Sequence, residues 1–469
     1  MTVLEAAPTV GGKMRRLTAG GAAMDAGPTV FTMRWVFESL FDDAGASLDG
    51  ALKLHRADIL ARHAWPQGGV LDLFADVERS EAAIRDFAGP ENAAGFRQFC
   101  ARAADMHQTL ARPFMASQRP SMAELTFRVG NLAALWRTSP LATLWGSLGR
   151  HFSDQRLRQL FGRYSTYVGS SPFKAPATLM LIAHVEGQGV WLVDGGMHAL
   201  ARAVAGLAES LGAKVRTGSP VRRIQVANGR ASGVELASGE RLEADAIVFN
   251  GDMSALGLGL LGDDARRATT PATPAQRGLS AIVWNATEPT SGFPLDHHNV
   301  FFGEDYVDEF ESVFTRRTVC TRPTVYICAQ DRGHGTVAPG TPERMLVLVN
   351  APADGDARGF GGFAKDEVAP RVRSLLKDCG LDVSLGEGSS VIAGPDGFDA
   401  LFPGTGGALY GKANHGMLGS FSRPGARSRI PGLYLAGGSV HPGAGVPMAT
   451  LSGRLAAEAL TLDLARGRG

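Results

Sequence analysis

The stretch from residue 191 to residue 250 constrains the fold more than any other part of the chain. The run Trp191–Val193 is strand-like, and the segment 197–212 repeats apolar residues on one helical face and ends on a glycine. A strand follows, then a hairpin with Asn228-Gly229 at its turn, then a second glycine turn. The apolar run 244–250 closes the stretch and indicates a buried strand of the parallel type. This order predicts an α/β domain in which a β-meander crosses a Rossmann-type sheet.

A strand, a glycine pair and a helix also follow one another near the C-terminus. The apolar run 433–436 leads into Gly437-Gly438, and the segment after the glycines leads into a helix with small residues on one face. Free backbone N–H groups at the start of a helix bind anionic or carbonyl-rich ligand edges. We therefore predict ligand contacts at this turn. An ordinary glycine-rich connection between a strand and a helix is the alternative.

Carboxylates and glycine turns recur at the ends of other strands. Glu5 ends a β-rich run, the segment 11–13 adds two glycines and a lysine, and the loop 25–29 contains Gly27. The segment 250–252 follows the strand 244–250, at the edge where open α/β sheets bind ligands. A carboxylate in the position of Glu5 accepts hydrogen bonds from ribose hydroxyls in dinucleotide-binding units. A solvated surface carboxylate is the alternative at Glu5.

The middle of the chain has a different pattern. Residues 75–165 are mostly helical in periodicity. Strand-like runs occur at 279–286, 324–330 and 344–352, and a further helical run spans 367–380. These elements predict a second domain that combines a sheet with helices.

Composition excludes several functions. Lysine and arginine total 47 and aspartate and glutamate 46, so the net charge of +1 argues against nucleic acid as a partner. None of the four cysteines forms a C-x-x-C pair or flanks a histidine at metal-ligand spacing, so we expect inert thiols and no metal site. The chain shows no signal peptide and no apolar run of about 18 residues. We expect a cytoplasmic protein that associates with a membrane peripherally.

Several segments together resemble the phytoene-desaturase-like branch of the FAD-dependent oxidoreductases. Within that branch the resemblance is closest to the bacterial 1-hydroxycarotenoid 3,4-desaturases, and it covers nearly the whole chain. The superfamily motifs are VLEAAPTVGGKMRR, DAGPTVFTM and LYLAGGSVHPGAGVPMATLSGRLAA. The segments that narrow the resemblance to the hydroxycarotenoid group are RYSTYVGSSP, YICAQDR and ALYGKANHG.

The resemblance implies a bound FAD and a long, dry tunnel for an apolar polyene. It makes Glu5 the ribose ligand and Val221 a backbone contact of the adenine, and it assigns cofactor contacts to the glycine turns at both ends of the chain. The full set of predicted cofactor-binding residues is Glu5, Gly11, Gly12, Lys13, Gly27, Val221, Asn250, Asp252, Gly437, Gly438, Val446, Pro447 and Met448.

The resemblance also divides the chain into domains. Residues 1–70, 185–260 and 405–469 form a discontinuous FAD-binding domain of the Rossmann type found in glutathione reductase. Residues 71–184 and 261–404 form a mixed sheet-plus-helix substrate domain with a helical part that faces the membrane.

One family motif is not found at its expected place. The G-x-G-x-x-G turn is expected before residue 1, and the same spacing at 257–262 is better interpreted as a short apolar helix that ends at Gly262. We therefore expect an N-terminally truncated FAD domain and poor FAD binding by the 469-residue chain.

The activity that the resemblance implies is desaturation of the C3–C4 bond of a 1-hydroxyneurosporene-type carotenoid, with oxidised flavin as the hydride acceptor. His184, Asp194 and His441 are the ionisable residues nearest the shared motifs, but each is more typical of a structural residue, so no catalytic residue is predicted. A carotenoid isomerase or saturase and a flavin-less lipid-binding protein remain alternatives. An amine oxidase is disfavoured because the turn 437–441 contains no cysteine.

A membrane-facing surface is expected because so apolar a substrate resides in a bilayer. The segment 126–150 contains Trp136, Trp145, three arginines and no acidic residue. Tryptophan and arginine beside leucine are typical of helices at a membrane interface. A buried helical hairpin of the substrate domain is the alternative.

Overall fold

The computed structural model describes residues 1–115, 117–119, 121–130, 138, 141–333, 337–338, 340–416 and 419–467. Its strands are β1 (Thr2–Leu4), β2 (Arg16–Ala19), β3 (Ala22–Asp25), β4 (Leu54–Arg56), β5 (Ile59–Ala64), β6 (Val70–Phe74), β7 (Trp191–Val193), β8 (Lys214–Arg216), β9 (Val221–Ala227), β10 (Arg230–Leu236), β11 (Arg241–Glu243), β12 (Ile247–Phe249), β13 (Ser280–Glu288), β14 (Ser291–Gly292), β15 (His298–Phe301), β16 (Val325–Ala329), β17 (Glu343–Ala351), β18 (Leu381–Asp382), β19 (Ser390–Ala393) and β20 (Leu433–Leu435).

The α-helices of the described residues alternate with these strands. They are α1 (Arg34–Asp43), α2 (Leu48–Ala51), α3 (Val77–Met115), α4 (Met122–Val129), α5 (Leu144–Leu148), α6 (Gln155–Gly162), α7 (Leu181–Gln188), α8 (Met197–Ser210), α9 (Met253–Gly257), α10 (Asp263–Arg266), α11 (Tyr306–Glu311), α12 (Gly361–Phe363), α13 (Ala369–Asp378), α14 (Pro395–Leu401) and α15 (Val446–Ala465). Short 3₁₀ turns cover Arg163–Val168, Ala177–Met180, Pro274–Gln276 and Gly419–Phe421, and π-turns cover Ser312–Arg316 and Ala364–Val368.

The largest sheet has seven strands in the order β19-β13-β17-β16-β15-β5-β6. Its neighbours are antiparallel except β15 and β5, which run parallel. The predicted strands β13, β16 and β17 and the predicted helix α13 are present. β15 is only four residues long, and the sequence did not predict it.

Alternation along β17 separates the two faces of this sheet. Val347 and Val349 pack into a buried cluster that includes Trp284 and the α13 residue Val372. Residues of opposite parity, such as Leu348, line a large cavity on the other face. This follows from the two-residue period of a strand, so one face of the sheet forms a core and the other a binding wall.

The parallel strands of the predicted Rossmann-type sheet occur as two separate pairs. β1 pairs with β8, and β12 pairs with β20. No strand of the described residues joins the two pairs into one sheet. The parallel direction of the run 244–250 is confirmed, but its burial is wrong, because Val248 at the centre of β12 is 45% exposed.

The predicted meander is confirmed. β9, β10 and β11 form a three-stranded antiparallel sheet, and the turn residues Asn228 and Gly229 have φ of 51° and 79°. Two positive φ values match the hairpin turn that Asn-Gly favours. The sequence did not predict the β2–β3 hairpin near the N-terminus, whose turn is Gly20-Gly21.

The glycine-rich segment 257–262 is not a helix that ends at Gly262. Asp252 caps α9 by accepting a hydrogen bond from the Ser254 N–H at 2.8 Å, and α9 ends at Gly257. Gly259 has a φ of 81°, a conformation that continues no right-handed helix.

The long helix α3 packs on β6, at the edge of the seven-stranded sheet. α3 is one long helical segment with a break at Gly89, directly before Pro90. Trp145 on α5 is half-buried, and its ring centroid lies 4.7 Å from that of Phe173 and 5.8 Å from that of Tyr306. The inward packing of Trp145 favours the buried alternative for this residue. Trp136 lies outside the described residues.

Candidate active site

A cavity of about 1040 Å³, called the main cavity here, lies between the glycine loops, the seven-stranded sheet and helices α3 and α7. Ligand pockets for small molecules span about 300–1,000 Å³, so this volume lies just above that range. The wall toward the sheet and helices is largely apolar, with Leu110, Leu179, Ile182, Leu346 and Phe421 among its residues. The opposite wall is made of glycine turns.

The glycine turns of the N-terminal segment pack closely on each other. A Cβ at Gly27 would lie 1.8 Å from the Lys13 carbonyl oxygen, and a Cβ at Gly11 would lie 2.4 Å from the Met14 carbonyl oxygen. Gly27 must therefore remain a glycine if the loop 11–14 is to lie against the loop that precedes α1. This contact fixes Lys13 at the cavity wall.

Lys13 places a half-buried ammonium group in that wall. Its Nζ donates a hydrogen bond to the Leu409 carbonyl oxygen at 2.6 Å and lies 5.3 Å from the centroid of the Phe402 ring. Burial lowers the pKa of Lys13, while the nearby Asp252 carboxylate opposes that effect. No hydrogen-bonded ion pair balances the ammonium among the described residues, so the position suits a ligand that accepts hydrogen bonds.

The C-terminal turn forms the adjoining part of the wall. Gly437 follows β20, its N–H donates to the Ser452 Oγ at 3.2 Å, and a Cβ there would lie 3.0 Å from the Asn250 Nδ2. Gly445 precedes α15 and cannot cap it with a side chain. The first N–H groups of this 20-residue helix therefore lack a side-chain acceptor. Val446, Pro447 and Met448 line the cavity at this helix start.

The structure places all but one of the predicted cofactor-binding residues on the main cavity. Glu5 is half-buried at the end of β1, and its Oε1 accepts a hydrogen bond from the Ala7 N–H at 2.8 Å. Val221 begins β9 and is absent from the lining. The predicted residues that line the cavity are Glu5, Gly11, Gly12, Lys13, Gly27, Asn250, Asp252, Gly437, Gly438, Val446, Pro447 and Met448.

A polar cluster that sequence reasoning missed interrupts the apolar wall. The Arg163 Nη2 donates to the Tyr167 Oη at 3.1 Å, and Glu186 accepts hydrogen bonds from the hydroxyls of Tyr164 and Tyr167 at 2.8 and 2.7 Å. Burial alone would lower the pKa of Arg163, but Tyr167 and Glu186 offset it and the net shift is upward. Arg163 therefore stays charged. Its segment, RYSTYVGSSP, was recognised only as part of the resemblance.

Tyr326 links the sheet to the cofactor-side loops. Its Oη lies 2.7 Å from the Thr29 Oγ1 and 2.8 Å from the His298 Nδ1.

His297, His298 and Cys328 each offer an atom within 4.8 Å of the others, a grouping that their sequence spacing does not reveal. Both histidine Nδ1 atoms already have hydrogen-bond partners, so we interpret the group as a hydrogen-bonded cluster.

None of the three ionisable residues considered from the sequence lines the main cavity. The His441 Nε2 bonds to the Phe114 carbonyl oxygen at 2.9 Å, and burial lowers the pKa of His441 to about 4. The His184 Nε2 lies 3.1 Å from the Gln188 Nε2, and Asp194 lies 3.5 Å from His55. These contacts are structural.

The residues of the glycine-lined wall fit FAD. The half-buried Lys13 ammonium and the start of α15 supply donors for a carbonyl-rich ring, and Glu5 supplies an acceptor for ribose hydroxyls. We assign no described residue to the pyrophosphate.

Fold and site together define a flavin-dependent oxidoreductase. The chain belongs to the family described as flavin containing amine oxidoreductase, whose model matches residues 1–461.

Curated relatives cover the chain almost completely. A hydroxyneurosporene desaturase of Rubrivivax gelatinosus is 52% identical over 99% of this chain and 89% of its own length. A hydroxyneurosporene desaturase of Cereibacter sphaeroides is 44% identical over 99% of this chain and 93% of its own length. A 4,4'-diapolycopene oxygenase of Methylomonas is 30% identical over 98% of this chain and 93% of its own length.

Solved structures agree on the fold. A putrescine oxidase is similar with a TM-score of 0.59 at 15% identity, over 99% of this chain and 93% of that one. At that identity the likeness supports the fold alone.

Proposed function

We propose that the chain desaturates a hydroxylated acyclic carotenoid of the hydroxyneurosporene type at its C3–C4 bond. One observation carries the proposal: a single cavity of about 1040 Å³ joins the glycine-lined cofactor wall to a long apolar wall. A polyene that lies against the apolar wall therefore reaches the cofactor wall within one continuous cavity. The names of the relatives that are 41–52% identical support the same substrate class.

The reaction removes two hydrogens from adjacent carbons. The C–H bonds at C3 and C4 break, a carbon–carbon double bond forms, one hydrogen leaves with its electron pair as a hydride, and the other leaves as a proton that passes to solvent water. Bound FAD supplies the two-electron acceptor, and an external acceptor finally takes the electrons. Apolar residues such as Leu179, Leu346 and Phe421 exclude water and hold the chain extended. Lys13, Gly27, Asn250, Gly437 and Met448 lie in the wall proposed to hold the cofactor.

Product analysis tests the proposal and separates it from its enzymatic alternative. Purified, flavin-loaded protein is incubated with 1-hydroxyneurosporene and an electron acceptor. We expect a product two hydrogens lighter, with its absorption bands shifted to the red. A product of unchanged mass would instead indicate an isomerase. A product two hydrogens heavier, formed when the protein is supplied with reduced flavin, would indicate a saturase. Protein that binds the polyene but no flavin would support the lipid-binding alternative.

We also propose that the protein associates peripherally with a membrane. Phe127 at the end of α4 is 86% exposed and Leu141 is 71% exposed, and they flank the part of the segment 126–150 that lies outside the described residues. Among the described helices, none is long and apolar enough to cross a bilayer.

Liposome flotation tests this association. The double variant Phe127→Glu/Leu141→Glu should float with lipid vesicles several-fold less than the wild type, because charge replaces two exposed apolar side chains. The control is Leu211→Glu, which places the same charge on an apolar residue that is 65% exposed, directly after α8. Unchanged flotation of the double variant would contradict the proposal.

We propose the domain division 1–70, 185–260 and 405–469 against 71–184 and 261–404 with one adjustment. β5 and β6 pair with each other across residue 70 and belong to the seven-stranded sheet. The first boundary is better placed before β5, because a boundary at 70 cuts a strand pair.

A further inference from the structure

Arg163 is a cation in the apolar part of the main cavity without an ion pair to any carboxylate of the described residues. Its one described hydrogen bond goes from Nη2 to the Tyr167 hydroxyl, and its Nε is buried without a hydrogen-bond partner. The nearby carboxylate, Glu186, accepts hydrogen bonds from two tyrosine hydroxyls instead. A guanidinium has five N–H donors, so this arrangement leaves donor capacity at the cavity surface.

Such a position is costly unless a ligand uses it. Burying a charged or polar group without compensating hydrogen bonds is unfavourable, and an apolar residue would fill the same wall at lower cost. A polyene offers no acceptor along its conjugated part. A hydroxylated polyene offers one oxygen that can accept a hydrogen bond from the guanidinium.

The surroundings of Arg163 place it toward the cofactor side of the main cavity. Arg163 interacts electrostatically with Tyr326 and Tyr410. Tyr326 hydrogen-bonds to Thr29, two residues after Gly27, and Leu409, next to Tyr410, accepts the hydrogen bond from Lys13. Arg163 is thus two contacts away from the loops proposed to hold the flavin.

The chemistry of the substrate requires a polar group at that location. The oxygen on C1 is three bonds from C3, hence within about 4 Å of it by ordinary bond lengths. The group that binds the hydroxyl must therefore lie beside the reacting carbons and not at a remote end of the tunnel.

We infer that Arg163, flanked by Tyr167, binds the hydroxyl oxygen of the polyene and sets both the choice of substrate and the position of its C3–C4 bond. The inference rests on the proposed function. Glu186 acts through Tyr167, as a positioning residue that fixes the tyrosine hydroxyl. Hydroxylated polyenes are preferred because a polyene without the hydroxyl leaves the remaining N–H donors of the guanidinium, the buried Nε among them, without an acceptor.

The test compares two polyenes that differ only in the hydroxyl group, 1-hydroxyneurosporene and neurosporene. We expect kcat/KM of the wild type to favour the hydroxylated polyene by about 100-fold or more. In Arg163→Met this ratio should fall to near one, through loss of activity on the hydroxylated substrate. Arg163→Lys keeps a charge and a donor, so its preference for the hydroxylated polyene should lie between those of the wild type and Arg163→Met. Tyr167→Phe should lower the preference less than Arg163→Met does.

Binding and stability give readouts independent of turnover. Titration of pre-reduced holoenzyme, which cannot accept a hydride, should show the same loss of preference in Kd. The Tm of Arg163→Met should be unchanged or higher, since an apolar side chain replaces a cation without an ion pair. The control Arg56→Met, exposed on β4, should change neither the ratio nor Tm.

The outcomes separate this inference from the proposed function. A wild type that desaturates both polyenes equally, or an Arg163→Met variant that loses both activities by the same factor, would overturn the role of Arg163 and leave the desaturase intact. A lower Tm with an unchanged ratio would make Arg163 structural. A wild type that desaturates neither polyene would overturn the proposed function itself.

Discussion

Lys13 illustrates how single residues determine what the main cavity can bind. Its side chain is half-buried, desolvation lowers its pKa, and its described hydrogen bond goes to a neutral carbonyl. The family resemblance implied that Lys13, which follows a glycine pair in the sequence, contacts the cofactor. What the sequence could not show is the burial, which depends on Leu409 and Phe402 arriving from almost 400 residues away.

Replacement of Lys13 should weaken flavin binding. Lys13→Met keeps most of the length of the side chain and removes its charged donor. A hydrogen bond to a charged group contributes about 1.5–3 kcal/mol, so the Kd for FAD should rise about 10- to 100-fold. Fluorescence titration of apoprotein with FAD measures this. The exposed Lys53→Met is the control, and equal FAD affinity in the two variants would contradict a cofactor role for Lys13.

Individual elements were predictable where their determinants are local. Asn228-Gly229 sets its hairpin by its own backbone preferences, and the period of β17 separates a core face from a cavity face. The sequence did not predict β15, because its pairing with β5 and β16 comes from distant parts of the chain. Arg163 was missed for the same reason. Helical periodicity around it indicates burial, but only the fold places it beside Tyr326.

The close contact between the loops at Gly27 and Lys13 predicts that a larger side chain at Gly27 disrupts the cofactor wall. Gly27→Ala would put a Cβ at 1.8 Å from the Lys13 carbonyl oxygen, so the two loops must separate. After incubation with excess FAD, the variant should hold several-fold less flavin than the wild type treated in the same way, measured by the ratio of flavin to protein absorbance. Gly206→Ala on α8 is the control. Its Cβ meets nothing within 4 Å, and it should gain about 1 kcal/mol of stability with full flavin content.

Glu288 ties the end of β13 to the loop 384–389. Burial raises the pKa of Glu288, but hydrogen bonds from Ser389, Ser384, Gly386 and Leu385 outweigh burial and leave the pKa below its ordinary 4.5. The carboxylate accepts the Leu385 and Gly386 N–H groups at 2.7 and 2.6 Å. This anchor stabilises the folded state only while the carboxylate is charged.

Glu288→Gln should therefore destabilise the protein in a pH-dependent way. A lowered folded-state pKa means that the stabilisation is present above the ordinary pKa and is lost as pH falls through the folded-state value. Urea unfolding should show that the free energy of unfolding is lower by about 2–3 kcal/mol at pH 7. The amide N–H₂ group of glutamine is a donor and cannot accept the hydrogen bonds that the carboxylate accepts. The difference from the wild type should shrink below about pH 4.5. A constant difference, or an equal loss in the exposed control Glu387→Gln, would contradict the anchor.

At the scale of the whole molecule, the main cavity joins parts of the chain that no local pattern connects. Loops near residues 5–29, 250–252 and 437–448 form one wall, and the seven-stranded sheet with α3 and α7 forms the other. The glycine turns were predictable as ligand sites because an apolar run followed by glycines and a helical pattern is visible in the sequence. Their assembly on one cavity, and the exclusion of Val221 from it, required the tertiary structure.

The most direct test of the account is an anaerobic single turnover. Flavin-loaded protein is mixed with excess 1-hydroxyneurosporene without an external acceptor, and flavin bleaching and the polyene product are quantified together. The account predicts one dehydrogenated polyene for each flavin reduced. A polyene that changes while the flavin stays oxidised, or a flavin that stays oxidised with the polyene intact, would contradict it.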